Sequence, residues 1–135
     1  MSSGPENRFI HSVHAHLPPK TEFHREKMNN PYSSGTADCW YSGRRRDLWI
    51  EFKFIVIPKK ADTEIRVLDL LSALQDHWLR GRWNEGRAVW VAVGSKEGGV
   101  VFDQGNWHIP ITAAAFRERL ITRATMANVI FDWCR

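Results

Sequence analysis

Leu48-Trp49-Ile50-Glu51-Phe52-Lys53-Phe54-Ile55-Val56-Ile57 is the strongest β-strand run in the sequence, and Pro58 ends it. The run is apolar at both odd and even positions, as a central strand covered on both faces would be. Glu51 and Lys53 interrupt that pattern. With a side-chain period of two they project from one face while Phe52 projects from the other. A carboxylate and an ammonium at a sheet centre cost several kcal/mol per ion unless they pair or meet a metal. An ordinary exposed Glu–Lys pair explains the two charges equally well at this point.

Upstream, Thr36 to Tyr41 reads as a second strand, joined through the turn Ser42 to Asp47 into an antiparallel hairpin. Asp38 lies in that partner arm, where pairing can bring it beside Glu51. Two carboxylates and the Phe52 main-chain carbonyl form a hard-oxygen set suited to Mg²⁺ or Mn²⁺. Lys53 alongside can hold or help deprotonate a water and offset charge developing on a phosphate. A strand-end or turn aspartate is the plain alternative for Asp38.

Further out, Glu6 to Leu17 spaces Phe9, Ile10, Val13 and Leu17 as an amphipathic helix opened by Pro5 and stopped by Pro18-Pro19. Residues 20–35 read as a polar, mobile loop, and Pro58 to Thr63 as a charged loop. Glu64 to Arg82 reads as one helix with Val67, Leu68, Leu71, Leu74 and Trp78 on a single face. Arg87 to Val93 is a β-rich run. Gly99 to Phe102 and Asn106 to Ile109 suggest a short hairpin, and Thr112 to Ile121 and Met126 to Trp133 suggest helices. There are no repeats and no low-complexity linker.

The 135 residues are 43% hydrophobic with seven Trp, enough apolar material for one domain to fold without staples. Cys39 and Cys134 are far apart and in no metal-ligand spacing, so a disulfide framework is not expected. No apolar run suits a bilayer and no signal-type segment opens the chain, so a cytoplasmic protein without membrane contact is expected. The net charge of +4 favours polyanionic partners.

Gly35-Thr36-Ala37-Asp38 followed by Trp49-Ile50-Glu51-Phe52-Lys53 resembles the metal-binding signature of the PD-(D/E)XK nuclease superfamily. Ala37 departs from it, standing where proline usually precedes the aspartate. Leu70 to Leu79, Gly86 and the strand from Ala88 to Val93 look like the virus-type replication-repair nuclease and Holliday-junction resolvase-like groups. The region after Val93 adds nothing to the likeness. The resemblance implies an α/β fold with a restriction-endonuclease-like core, a mixed central β-sheet flanked by α-helices, in a single nuclease domain over 1–135. It also implies a Mg²⁺- or Mn²⁺-dependent DNA endonuclease acting on branched, junction or duplex DNA, with a homodimer as one arrangement open to it, Asp38, Glu51 and the Phe52 carbonyl on the metal and Lys53 catalytic. A small protein without accessory domains would suit a phage acting in a bacterial host. A non-catalytic DNA- or partner-binding module on the same fold is the competing expectation.

Two assisting residues follow. Gln75 falls on the apolar face of the expected helix and needs a polar partner there. In many members of the superfamily a helical glutamine points at the active site; the alternative is a glutamine at the edge of the apolar stripe. An acidic residue on the first helix binds a metal in several branches, which gives Glu6 a second-metal role; favourable placement at a helix N-terminus explains it as well.

Arg44-Arg45-Arg46 in the hairpin turn, with Lys59-Lys60, is the expected phosphate-gripping set, helped by Arg80, Arg82 and Arg87. Solvated turns are the bland reading for each. His11, His14 and His16 cannot share one helical face, so a histidine metal site is not expected and a solvated or phosphate-facing role is. Trp40 and Trp49 flank the carboxylates as packing residues that can also stack on bases. Val129-Ile130-Phe131 and Trp133 either close the core or form a dimer contact.

Overall fold

The computed structural model describes residues 4–28 and 35–135. Helix α1 (Gly4–His14) opens the chain and buries Phe9, Ile10 and Val13. Three strands follow, β1 (His24–Lys27), β2 (Cys39–Ser42) and β3 (Asp47–Phe54). Strand β1 is a correction: it lies within the expected 20–35 loop and pairs antiparallel with β2 along its whole length. Its sequence, His-Arg-Glu-Lys, is mostly exposed, so no hydrophobic alternation betrays it. Residues 29–34 of that expected mobile loop lie outside the described residues.

The expected helix over 64–82 is also corrected. Glu64–Ile65 forms the short strand β4, Val67–Leu70 a 3-10 turn, and only Ala73–Asn84 is the helix α2. Ser72 decides the boundary. Its side chain accepts from the Gln75 N–H while the Gln75 side chain accepts from the Ser72 N–H, a reciprocal capping box that starts the helix there. The apolar residues before it serve a turn that covers the sheet, and Leu74 is exposed.

Strands β5 (Val89–Ser95) and β6 (Gly98–Asp103) form the second hairpin. Gly99–Phe102 thus pairs with β5 and not with Asn106–Ile109, where a 3-10 turn instead buries Trp107. Strand β7 (Ile111–Thr112) pairs with β4, and helices α3 (Ala113–Glu118) and α4 (Arg123–Cys134) complete the chain. Among the described residues, no helix is long and apolar enough to cross a membrane.

The five-stranded sheet runs β1-β2-β3-β5-β6. Only β3 and β5 are parallel, joined by the long crossover that carries α2, as a parallel pair requires. The sheet is mixed and flanked by helices, as expected. Leu48, Ile50 and Phe52 of β3 face α1 and α4 in one apolar layer with Tyr41 and Trp90. Val89, Val91 and Val93 of β5 face Leu79 of α2, Trp107 and Phe116 in the other. Helix α1 approaches so closely that a Cβ on Gly94 would lie 2.6 Å from the Phe9 ring. The α1/α4 layer is closed by large side chains, and the charged residues of β3 belong to the opposite face.

Candidate active site

Strands β2 and β3 pair with Cys39 opposite Ile50 and Trp40 opposite Trp49. Extending that register one step puts Asp38 opposite Glu51, on the α2 side of the sheet. The ladder ends there for a specific reason. The Phe52 N–H donates to Asp38 Oδ2 at 2.9 Å, so a side-chain carboxylate takes the place of the next main-chain acceptor. The Trp49 and Ile55 N–H groups donate to Ala88 and Gly94, across towards β5. Odd residues of β3 therefore direct their amide groups to β5, and Phe52 directs both N–H and carbonyl to the Asp38 side.

Glu51 is 1% exposed, and its neighbours divide its two oxygens unequally. Oε2 accepts from Gln75 Nε2 at 3.2 Å and lies 3.4 Å from Lys53 Nζ. Oε1 is buried with no hydrogen-bond partner among the described residues. Burial first, then repulsion from Asp38, pushes the Glu51 carboxyl up to about 9, with Lys53 offsetting part of the rise. Without a cation Glu51 keeps its proton at neutral pH, and the Lys53 contact becomes an ion pair only when the carboxyl ionises.

Gln75 is held from behind. Its Oε1 accepts from the Ser72 N–H at 2.9 Å, which turns its amide nitrogen towards Glu51. The capping box of α2 is thus also the orienting device for the glutamine. The polar partner that the sequence demanded is Glu51 itself, although Gln75 meets it from the first turn of a short helix and not from the middle of a long one.

Glu6 sits in the first turn of α1. Burial, and then the Asp38 charge, raises its carboxyl, while Lys53 and Lys27 lower it. It is within electrostatic reach of the pair, yet the described residues contain no cluster of three or more His, Cys, Asp or Glu side chains able to hold a metal. The oxygen donors that converge are Asp38 and Glu51, with the Phe52 carbonyl on the same side.

The basic residues divide. Arg44, Arg45 and Arg46, expected beside the carboxylates, lie instead at the opposite end of the β2–β3 hairpin. Asp47 begins β3 four residues before Glu51, about 14 Å along the strand. There the Arg45 and Arg46 N–H groups donate to the Cys134 carbonyl at 2.9 and 3.3 Å, and Arg46 lies over the Trp133 ring at 3.9 Å. A hairpin places its turn at one end and its open strands at the other, and the ladder is frayed by Asp38 at the open end. Lys59 and Lys60 are exposed just beyond the end of β3 that carries Lys53.

The Holliday junction resolvase Hjc of Archaeoglobus fulgidus, an archaeal hyperthermophile, superposes with a TM-score of 0.53 at 16% identity, covering 93% of this chain and 98% of that one. The two proteins share a fold. No protein-family model matches the chain, and no curated protein matches it in sequence. The likeness therefore lives in backbone topology, and the roles of individual residues are argued from their own geometry.

Several site neighbours carry no sequence signal. His14 Nε2 lies 2.7 Å from the Tyr41 hydroxyl, facing the core and not a phosphate. Burial, with Arg25 next, lowers that imidazole to about 4. Lys27 on β1 donates to Asn7 on α1 at 2.6 Å, linking the unexpected strand to the helix that carries Glu6. Asp76, next to Gln75, accepts from His108 at 2.8 Å and from Trp107 at 3.3 Å, and pairs with Arg80. Burial raises its carboxyl, but those donors more than compensate and hold it below its ordinary value. Asp76 ties the first turn of α2, and Gln75 with it, to the 3-10 turn after β6. His108 had no visible partner in sequence because the two residues are 32 positions apart.

Proposed function

We propose that this chain is a Mg²⁺- or Mn²⁺-dependent DNA endonuclease that hydrolyses phosphodiester bonds, acting on branched or junction DNA. The observation that carries the reading is the placement of Glu51. A buried carboxyl group faces a second one across the β2–β3 ladder, with one oxygen that receives no hydrogen bond from a donor among the described residues. A carboxyl buried beside a second carboxylate costs stability whenever it ionises, and a divalent cation would relieve both that repulsion and the unsatisfied oxygen.

The donor set fits such an ion. Asp38, Glu51 and the Phe52 carbonyl are all hard oxygens, with room for water or phosphate oxygens to complete an octahedron. When bound, the ion would supply Lewis-acid polarisation of the phosphate and a lowered pKa for an attacking water. Lys53, at 17% exposure, would donate to that water or to a non-bridging phosphate oxygen as negative charge develops. Gln75, fixed by Ser72, would hold the Glu51 carboxylate in one orientation. Glu6 would act from the first helix as a second-metal residue through intervening water. Lys59 and Lys60 would contact phosphates near Lys53, and Arg44 to Arg46 would contact phosphates farther along.

The resolvase fold supports a junction-type substrate, and a homodimer would match a two-fold junction. The test is incubation of the purified chain with linear, single-stranded, flap and four-way-junction DNA, with and without Mg²⁺ or Mn²⁺. Cleavage that requires the ion and disappears in Asp38→Ala and Lys53→Ala, with folding intact, is the expected result. Full activity in either variant would refute the assignment. DNA binding with no saturable divalent-ion binding that Glu51→Ala removes would identify a non-catalytic binding module instead.

A further inference from the structure

A cavity of about 720 Å³ opens where the starts of β3 and β5 meet the last turns of α2 and α4. Its volume falls in the usual range for small-molecule sites. Three guanidiniums, Arg46, Arg82 and Arg87, line it together with the indoles of Trp49 and Trp133. The carboxylates in the wall are already engaged: Asp47 accepts from Ser42 at 2.8 Å and Trp40 at 3.1 Å, and Glu85 pairs with Arg82 at 2.9 Å. The arginines outnumber those two carboxylates, so the wall carries net positive charge. Three guanidiniums against two engaged carboxylates favour an occupant that brings negative charge and hydrogen-bond acceptors.

Guanidiniums and half-buried indoles lining one cavity suit a ligand that is planar, anionic and rich in acceptors, which is the chemistry of a nucleotide. The cavity is also connected to the carboxylate pair by aromatic surface. Trp40 stacks on Trp49 with centroids 5.9 Å apart, and Trp78 meets Trp49 edge-on at 5.3 Å. Trp49 precedes Glu51 by two residues on the same sheet face, about 7 Å along the strand.

We propose that this cavity receives an unpaired nucleotide of a DNA strand whose phosphodiester lies at Asp38 and Glu51. The inference rests on the nuclease reading for the identity of the strand and deepens it by naming the substrate class. With about 7 to 14 Å between the cavity walls and Glu51, the captured nucleotide is roughly two to four residues from the bond to be cut, at a stacked rise of about 3.4 Å. A paired base cannot enter, so the cavity selects DNA with a flap, gap or single-stranded arm next to the cleavage point.

The test measures binding of the full chain in EDTA to a short single-stranded oligodeoxynucleotide and to a blunt duplex of the same sequence. The double variant Arg82→Ala/Arg87→Ala is expected to lose about tenfold or more in affinity for the single strand and less than about threefold for the duplex. Equal losses on both would reduce the cavity to a general cationic patch and overturn the proposal, as would no loss on either. A second measurement uses the unaltered protein: a strand carrying 5-iododeoxyuridine should photocrosslink to Trp49 or Trp133, and adducts found only elsewhere would overturn it too. Thymidine monophosphate is the third arm. If it binds as tightly as the strand, the site belongs to a free nucleotide and the strand assignment fails. Wild-type protein that binds in the expected way yet cleaves no DNA with Mg²⁺ or Mn²⁺ would sink the nuclease reading while leaving the cavity assigned.

Discussion

Replacing Glu51 with glutamine should stabilise the metal-free protein while abolishing its response to divalent ions. The carboxyl is raised from 4.5 to about 9 by burial and by Asp38. Between those two values the folded state binds one proton more than the unfolded state, so stability falls as pH rises, by about 1.4 kcal/mol per unit. The contribution is fully present below pH 4.5 and exhausted above about 9. At pH 7 the accumulated loss is about 3 kcal/mol, from roughly 2.5 units of pH.

Glutamine keeps the shape and one acceptor oxygen for Gln75 and Lys53, carries no proton to titrate, and can donate from its amide nitrogen to Asp38. Glu51→Gln should therefore recover about 3 kcal/mol at pH 7 and under about 1 kcal/mol at pH 5. In a chain of this length that is a rise in melting temperature on the order of 10 °C at pH 7. Thermal unfolding of both proteins in EDTA at the two pH values measures it directly. Adding Mn²⁺ to about 100 times its Kd should then stabilise the wild type by about 2.7 kcal/mol and leave the variant unmoved. The reasoning fails if Glu51→Gln melts below the wild type in EDTA at pH 7, or if both proteins gain equally from the ion.

Three further outcomes follow from the same geometry. Gln75→Ala should cut DNA at least tenfold more slowly with stability changed by no more than about 1 kcal/mol; Ser72→Ala, which removes the helix cap, should lower stability by about 1 kcal/mol and slow cleavage less, both read by unfolding and single-turnover kinetics. His14, held near 4 in the folded state against 6.5 unfolded, favours the fold fully above pH 6.5 and progressively less as pH falls towards 4. Over pH 7 to 5 the wild type should lose about 2 kcal/mol relative to His14→Gln, read as the difference between their urea midpoints at the two pH values, since the Glu51 contribution is common to both. Gly94→Ala places a methyl 2.6 Å from the Phe9 ring and should cost about 1–3 kcal/mol by pushing α1 off the sheet, visible as a lower melting temperature.

The β2–β3 hairpin, the β-rich run that becomes β5 and the juxtaposition of Asp38 with Glu51 were legible because each leaves a short-range mark. Period-two alternation exposed Glu51 and Lys53 as misplaced charges, and a turn of a few residues brought Asp38 across from them. What was missed depends on contacts the sequence does not print. Strand β1 is a polar edge whose only credential is its ladder to β2. The apolar run from Val67 to Leu71 has helical spacing, yet Ser72 and Gln75 cap a helix that starts after it. Trp107 reads as a strand residue by composition and is instead plugged into the core from a 3-10 turn, with Asp76 receiving its N–H. The arginine run looked adjacent to the carboxylates because three residues in a turn are close in sequence to both strands; which end of the hairpin is the open one is settled by where the ladder breaks.

That break connects the fold to the chemistry. Asp38 serves twice: one oxygen accepts the Phe52 N–H that β2 no longer reaches, and its charge confronts Glu51. A slip of one residue between β2 and β3 would bury Trp49 and Glu51 against α1 and expose Leu48 and Ile50 to α2, so the apolar layer fixes the register. The register in turn delivers Asp38 to Glu51 with an accuracy that loop-borne residues would lack. The stability lost at the carboxylates is offset on the opposite face, where Leu48, Ile50 and Phe52 pack on α1 and α4 without any charged partner. On this argument a cavity made in that layer, such as Ile50→Ala, should destabilise by about 2–5 kcal/mol yet leave ion affinity per folded molecule unchanged, since the strand's two faces carry separate tasks. A weakened ion affinity in the folded fraction, measured by calorimetry with Mn²⁺, would show that the two faces are coupled and that the site depends on more than register.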